Sequence, residues 1–361
     1  MRMKRLPALL AVPLAAAALL AGCAGGGSAA APATENGGGS SEGSEFVWEV
    51  DPAYDGPDAE FFQEVPRPEV SAEPVTVGFL QISGAQPVLQ AMQEAAQAEV
   101  EALGGTMIVK DAGLDVQKQQ SQIDELILQG VDVIIGYPVV GAALAPGIEA
   151  AQEAGIPFIA LMTPPDVTQP DVAAAVTNVN QAIDYAVWSS MSYLAEQNPG
   201  ASFAVMGFAA PVDTLSYISE RQIYWGEQLG LEYLGRIDSQ SDAPAGYSAA
   251  GGALVAKYPD VDIIVAYNDQ SSLAAQSAAA TAGKTDILFA NPNSGQSIAL
   301  DGLKDGRLAV VFRTAWERIG TVAADVAMTV VADPEATFPT TVNVPGVLVT
   351  PETAADIPWI G

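Results

Sequence analysis

From residue 75 onward, short apolar runs alternate with longer stretches whose apolar residues recur at helical spacing, and this alternation constrains the fold more than any other feature. Residues 75–82 read as a strand, 87–103 as an amphipathic helix and 106–110 as a second strand. A helix over 116–129 follows, with Ile123, Leu126 and Ile127 spaced to face a sheet. Then come a buried strand over 131–135, a helix over 142–154 and a strand over 157–161. Gly104, Gly130 and Gly155 each fall just past a helix end, where a left-handed cap is usual. After Asn178 the series restarts, with helices to about 197 and over 216–229, 247–257 and 271–282, and strands over 202–208, 231–238, 263–266 and 287–290. Repeated βα units give a mostly parallel, twisted sheet covered by helices on both faces. The chain is therefore expected to be α/β, with two doubly wound parallel-sheet halves.

Composition narrows the chemistry. The 361 residues include no histidine and a single cysteine, Cys23. Without histidine the usual general base, the usual zinc ligand and every Ser-His or Cys-His pair are missing. One cysteine allows no internal disulfide and no thiolate metal site. With 14 basic against 43 acidic residues the net charge is −29, a surface that repels phosphate backbones and anionic lipids. Nucleic acid is not an expected partner. Neither a catalytic residue nor a metal or other cofactor is expected; Gly283-Lys284-Thr285 lacks the earlier glycine of a phosphate loop, since Ala278 stands there.

Residues 1–22 have the three parts of a secretory signal: Arg2, Lys4 and Arg5, an apolar run over 6–20, and small residues before Cys23. The run is shorter than the roughly 20 residues that span a bilayer, which disfavours a transmembrane anchor. Leu20-Ala21-Gly22-Cys23 resembles the bacterial lipobox, which implies lipidation at Cys23 and anchoring at the outer face of the cell membrane. Residues 23–73 are expected to form a lipid-anchored flexible tether, since 24–44 are Gly, Ser, Ala and Pro with few others. Phe46, Trp48, Tyr54, Phe61 and Phe62 make its second half different, so that half either docks on the folded body or continues the linker.

The run from Asp115 through Ile123 and Gly130 to Ile135, then Ala154-Gly155-Ile156-Pro157, Tyr267-Asn268-Asp269 and Thr281-Ala282-Gly283-Lys284, resembles the type I periplasmic binding proteins. In particular it resembles the ribose- and galactose-type solute receptors of ABC importers, over about residues 75–344. The resemblance implies two lobes joined by a three-segment hinge, with crossings near 177–180, 312–315 and 341–345. Residues 74–178 plus 315–341 would form the N-terminal lobe, and 179–314 plus 342–361 the C-terminal lobe. Ligand would lie between them at the carboxyl ends of the strands, and the closed form would meet a membrane permease. The implied role is a lipoprotein that binds a sugar, polyol or similar small polar ligand for import. The alternative is a sensory lipoprotein of the same fold.

The same resemblance supplies candidate ligand-binding residues. Gln81 and Gln86 follow the first strand, where the family has an asparagine followed by aromatics and this chain has Gln86, Val88 and Leu89. Met162-Thr163 stands where ribose receptors carry an Asp-Arg pair, and Asn178 replaces a family aspartate. Arg221 matches the family's ligand arginine, Asn268 its strand-end asparagine, and Asn293 the place of a ligand aspartate. Arg313 and Thr314 lie at the crossing where a glutamine is typical. Each has a plainer reading. Arg221 is otherwise a helix charge paired with Glu220, Asn268 a helix cap, and Tyr217 or Trp316 stacks on a sugar or packs a helix.

Overall fold

The computed structural model describes residues 50–164 and 174–361. Cys23, the signal-like segment and residues 23–49 of the expected tether lie outside the described residues. The first sheet contains β1 (Val75–Gln81), β2 (Gly105–Asp111), β3 (Val133–Gly136), β4 (Phe158–Leu161), β5 (Thr177–Asn180) and β11 (Thr341–Asn343) in the order β11-β5-β4-β3-β1-β2. All its pairings are parallel. The second sheet runs β12-β10-β9-β8-β6-β7, from β6 (Ser202–Phe208), β7 (Glu232–Ser239), β8 (Ile263–Ala266), β9 (Leu288–Ser294), β10 (Val310–Arg313) and β12 (Val347–Val349). Only β12 is antiparallel to its neighbour, β10. β3, β4 and β8 are buried along their whole length, as unbroken apolar strands are when helices cover both faces.

The helix α2 (Val116–Gln129) shows how local sequence sets an element. The Asp115 carboxylate accepts from the backbone N–H of Gln117 and Lys118, both at 2.9 Å, and so caps its start. Ile123 and Leu126 bury its inner face, and Gly130 ends it at φ 67°, in the left-handed region. The inner face lies so close to β1 that a Cβ on Gly78 would stand 2.8 Å from the Leu126 side chain.

Crossings between the lobes follow β5, β10 and β11. After β5 the chain passes through Ala182, at φ 54°, into α4 (Ile183–Gln197), which packs on α5 (Asp213–Gln228) of the second lobe. After β10 it returns in α9 (Trp316–Ala332), which lies along α1 (Pro87–Ala102) of the first. That contact requires glycine, since a Cβ on Gly320 would meet the Met92 carbonyl oxygen at 2.0 Å. Thr177–Asn180 and Thr341–Asn343 are neighbouring strands of the first sheet, so two lobe boundaries fall slightly later than the expected 178 and 341.

The described part of the expected tether is packed: of the two alternatives for the second half, residues 50–73 take the docked one, so the flexible tether does not extend over them. Tyr54 is buried beside Tyr185 and Trp188, each with ring centroids at 5.1 Å, and Phe62 packs on Tyr185 edge to face. The Asp51 N–H donates to the Tyr185 hydroxyl, and Asn343 Nδ2 donates to the Asp58 carbonyl at 3.0 Å. Farther along, Arg67 pairs with Glu99 of α1 and the Ser71 N–H donates to the Leu103 carbonyl. The segment thus begins on α4 of the second lobe, passes β11 at the third crossing and ends on the first lobe.

Asp58 and Asp325 are two of the buried carboxyls that make stability depend on pH. Burial pushes Asp58 up from 3.8 to about 6, against the opposing hydrogen bond from Tyr54. Burial and the nearby Glu99 carboxylate push Asp325, on α9, up to about 7. The folded chain holds both protons more tightly than the unfolded chain does. Their contribution to stability is therefore complete below the unfolded value and is lost as pH rises through about 6 to 7. The melting temperature should be higher near about pH 5 than near about pH 8, and Asp58→Asn with Asp325→Asn should flatten the profile. A melting temperature that climbs over that interval would contradict this assignment.

Candidate functional site

Because all strands but β12 run parallel within each sheet, the loops at their carboxyl ends gather at one edge, and the two edges face each other across the crossings. Between them lies a cavity of ≈ 70 Å³, room for about five waters at roughly 10–15 Å³ each. The first lobe contributes Ile82, Ser83, Gln86, Val88 and Leu89 after β1, Leu114 after β2 and Tyr137 after β3. From the second come Phe208, Val212 and Leu215 after β6, Asp242 after β7 and Tyr267, Asn268 and Gln270 after β8. Asn293 in β9, Gln296 beyond it and Trp316 at the start of α9 complete the wall. A larger hollow of ≈ 400 Å³ lies at the other end of the first sheet, around Asp132, Gly155 and Pro334. It is away from the carboxyl edges, where ligands of open α/β sheets bind.

The lobes touch directly across the cavity. Gln86 Nε2 donates to Asp242 Oδ2 at 2.6 Å, and Gln270 Nε2 donates to Gln86 Oε1 at 3.3 Å. Beside it the Gly141 N–H donates to Asp213 Oδ2 at 2.8 Å, and the Thr214 hydroxyl donates to the Met162 carbonyl at 2.5 Å. Met162 and Leu114 sit at φ 55° and 65°, conformations that cost a residue with a side chain about 1–2 kcal/mol. Both lie just past strand ends, on the rim that faces the second lobe. The lobes are therefore closed on one another, with polar contacts that must break for the cleft to open. Burial pushes the Tyr137 phenol up to about 12, so this side chain stays neutral.

A family model described as a periplasmic binding protein domain matches residues 77–335. This chain belongs to the type I periplasmic binding protein family. A ribose import binding protein of Bacillus subtilis is 25% identical over 255 residues, covering 70% of this chain and 80% of the relative. A xylitol-binding protein of Mycolicibacterium smegmatis is 27% identical over 211 residues, covering 56% of this chain and 55% of that protein. Among solved structures, an ABC transporter solute-binding protein of Bacillus halodurans with bound myo-inositol superposes with a TM-score of 0.70 at 24% identity. It covers 78% of this chain and 96% of its own, a likeness of fold. All three of these relatives of the family member described here are named as binding proteins, one for ribose import and one of an ABC transporter, and none as an enzyme.

Within this periplasmic binding protein, three of the expected ligand residues line the cavity: Gln86, Asn268 and Asn293. Asn268 also fulfils its plainer reading, since its side chain accepts from the Ser271 N–H at 2.8 Å and the Ser271 hydroxyl is engaged in return, a capping box on α7 (Asp269–Thr281). Asp269 takes a different part: its buried carboxylate accepts from the N–H of Gly295 and Gln296 and from Asn291 Nδ2, fixing the loop that carries Gln296. Burial raises its pKa, and these donors counter the shift.

The other six stand outside the lining. Gln81 Nε2 donates to the Leu89 carbonyl at 2.9 Å and so ties the start of α1 to β1. Thr163 and Asn178 lock together, backbone N–H to Oδ1 at 3.1 Å and Nδ2 to carbonyl at 2.8 Å. Arg221 faces α4 rather than the cleft; it pairs with the buried Asp184 carboxylate and lies over the Tyr224 ring at 4.0 Å. Tyr217 donates to that carboxylate too, so neither the surface pair with Glu220 nor the ligand contact describes this cluster. Arg313 is buried among backbone carbonyls, and the Thr314 hydroxyl donates to Gln181 Oε1 at 3.3 Å at the adjacent crossing. Trp316 packs under Gly295 and donates its indole N–H to the Ser294 carbonyl, and its ring still borders the cavity.

Asp242, Tyr267, Gln270 and Gln296 line the cavity without having been singled out. A signal existed for the first: Asp242 follows the expected strand over 231–238, in the strand-to-helix loop where this fold gathers its site. Gln296 carried none, because its place depends on the bonds that Asp269 makes to the loop around it.

Proposed function

We propose that this protein is an exported, lipid-anchored solute receptor of an ABC importer that binds a sugar, polyol or similar small polar molecule in the interlobe cleft and delivers it to a membrane permease. The observation that carries this reading is the cavity itself, closed between two lobes by hydrogen bonds from Gln86 to Asp242 and from Gln270 to Gln86. Ligand contact would fall to Gln86, Asn268 and Asn293 of the expected set, with Asp242, Gln270 and Gln296 beside them. The relatives named for ribose and xylitol, and the neighbour with bound myo-inositol, support a polyhydroxylated ligand. The Leu20-Ala21-Gly22-Cys23 motif supports the anchor, with the Cys23 thiol as the lipid attachment point. Among the described residues no helix is long and apolar enough to cross a membrane, and no acidic cluster suits a metal ion.

Calorimetry with a panel of sugars and polyols on the protein lacking residues 1–22, together with palmitate labelling of the full chain in cells, tests both parts. Binding without turnover, and label that disappears in Cys23→Ala, are expected. A panel with no binder would remove the receptor reading, and unlabelled full-length chain would remove the anchor.

A further inference from the structure

The charge balance of the cavity is one-sided. Asp242 is its single carboxylate, and no lysine or arginine lines it. Asp242 Oδ2 accepts from Gln86 Nε2 at 2.6 Å, and its Oδ1 accepts from the Tyr247 and Tyr267 hydroxyls. That carboxylate fixes the amide orientations around it, because an ionised carboxylate only accepts. Gln86 must present Nε2 to Asp242 and hence Oε1 to Gln270, whose Nε2 is shared between Gln86 and Gln296, the latter at 3.0 Å. Asn293 is fixed in the same way by the Tyr267 carbonyl, which its Nδ2 meets at 3.2 Å. Gln86 and Asn293 thereby each have one amide N–H engaged inside the protein, and Gln270 has both. Two acceptors there are unmet: Gln270 Oε1 and Asn293 Oδ1 are buried with no partner, and the carboxylate has no cation beside it in the lining.

We infer that the cleft selects a small hydroxylated organic cation, an amino sugar or amino polyol, with its ammonium on Asp242 and its remaining donors on Gln270 Oε1 and Asn293 Oδ1. An ammonium brings three donors and a positive charge, which suit the carboxylate and the two unmet acceptors. The charge-assisted bond to Asp242 is stronger than a hydroxyl would make there, and the aromatic side chains of Tyr267 and Trp316 lie in the same lining. A carboxylate or phosphate on the ligand would meet Asp242 with no cation in the wall to offset it, on a chain of net charge −29. The inference rests on the reading of this cleft as the ligand site and adds the ligand's charge to it.

Two shape-matched sets test it by calorimetry at a pH below the pKa of the ammonium: serinol, glycerol and glycerate, and glucosamine, glucose and glucuronate. In the set that fits, the amine should bind about tenfold more tightly than the neutral compound, and the acid should not bind. Asp242→Asn, with a melting temperature matching the parent, should bring amine and neutral compound to equal affinity. The wild-type ranking stands as a test without that variant. A neutral compound that binds more tightly than its amine, an acid that binds, or an amine preference that survives Asp242→Asn would overturn the inference and leave the receptor reading intact. Absence of binding by all six would overturn both.

Discussion

Replacing Arg313 with methionine should destabilise the protein by about 3–5 kcal/mol, a large share of the roughly 5–15 kcal/mol that holds a domain folded. The side chain is 1% exposed, at the end of β10 where the chain crosses between lobes. Its Nε donates to the Pro358 carbonyl at 3.0 Å, one terminal nitrogen donates to the Thr314 carbonyl, and the other grips both Glu317 oxygens at 2.9 and 3.0 Å. One guanidinium therefore joins the carboxy-terminal tail, the crossing and the first turn of α9. Methionine fills much of the volume but supplies no donor, so the Pro358 carbonyl loses its partner, the Thr314 carbonyl keeps only the Trp316 N–H, and the link between tail, crossing and α9 is gone. Glu317 is 45% exposed and can be rehydrated, so Glu317→Gln should cost far less. Urea unfolding decides the matter: a loss below about 1 kcal/mol for Arg313→Met would show that water or other groups replace these bonds.

Asp184→Leu should have a comparable effect, about 3–5 kcal/mol. The Asp184 carboxylate is fully buried on α4 and accepts from the Tyr217 hydroxyl at 2.5 Å, from Trp225 Nε1 at 3.0 Å and from Arg221. All three donors lie on α5, so this one group fastens the two helices on the outer side of the second sheet. Leucine would strand the Arg221 guanidinium, only 17% exposed, and leave the indole N–H and phenol to find other partners. A buried charge without its partner costs more than the pair gains over an apolar replacement. Asp184→Leu combined with Arg221→Met should therefore recover part of the loss. If the double variant is simply the sum of the singles in chemical unfolding, the two groups are not coupled and the argument fails.

Arg221 also shows where reading the sequence stops. The elements were legible because their signals are local: the cap at Asp115, the left-handed Gly130 and the apolar faces of β3, β4 and β8 are properties of a few consecutive residues. The doubled βα series and the approximate crossings followed from them. Partnership is not local. Arg221 was placed in the cleft by its position in a motif, yet its use is decided by Asp184, 37 residues earlier in the chain. Gln81, Thr163 and Asn178 occupy strand ends as expected, but there they tie the scaffold together, while the cavity wall is made by side chains one loop away. Gln86, Asn268 and Asn293 were legible because their loops lead straight onto the cleft. Gln296 was not, because the Asp269 carboxylate arranges its loop.

The packed segment ahead of β1 has a mechanical consequence. Among the described residues, a pull arriving along the chain from its amino-terminal side meets Val50, Asp51 and Tyr54, packed on α4 of the second lobe, before it can reach Val75 in the first sheet. The load is then shared by the Tyr185 and Trp188 rings and by the bond from Asn343 to Asp58, so the segment must peel away from the back of the hinge before tension acts on β1. A receptor held at its amino terminus would feel that force at the joint between its lobes.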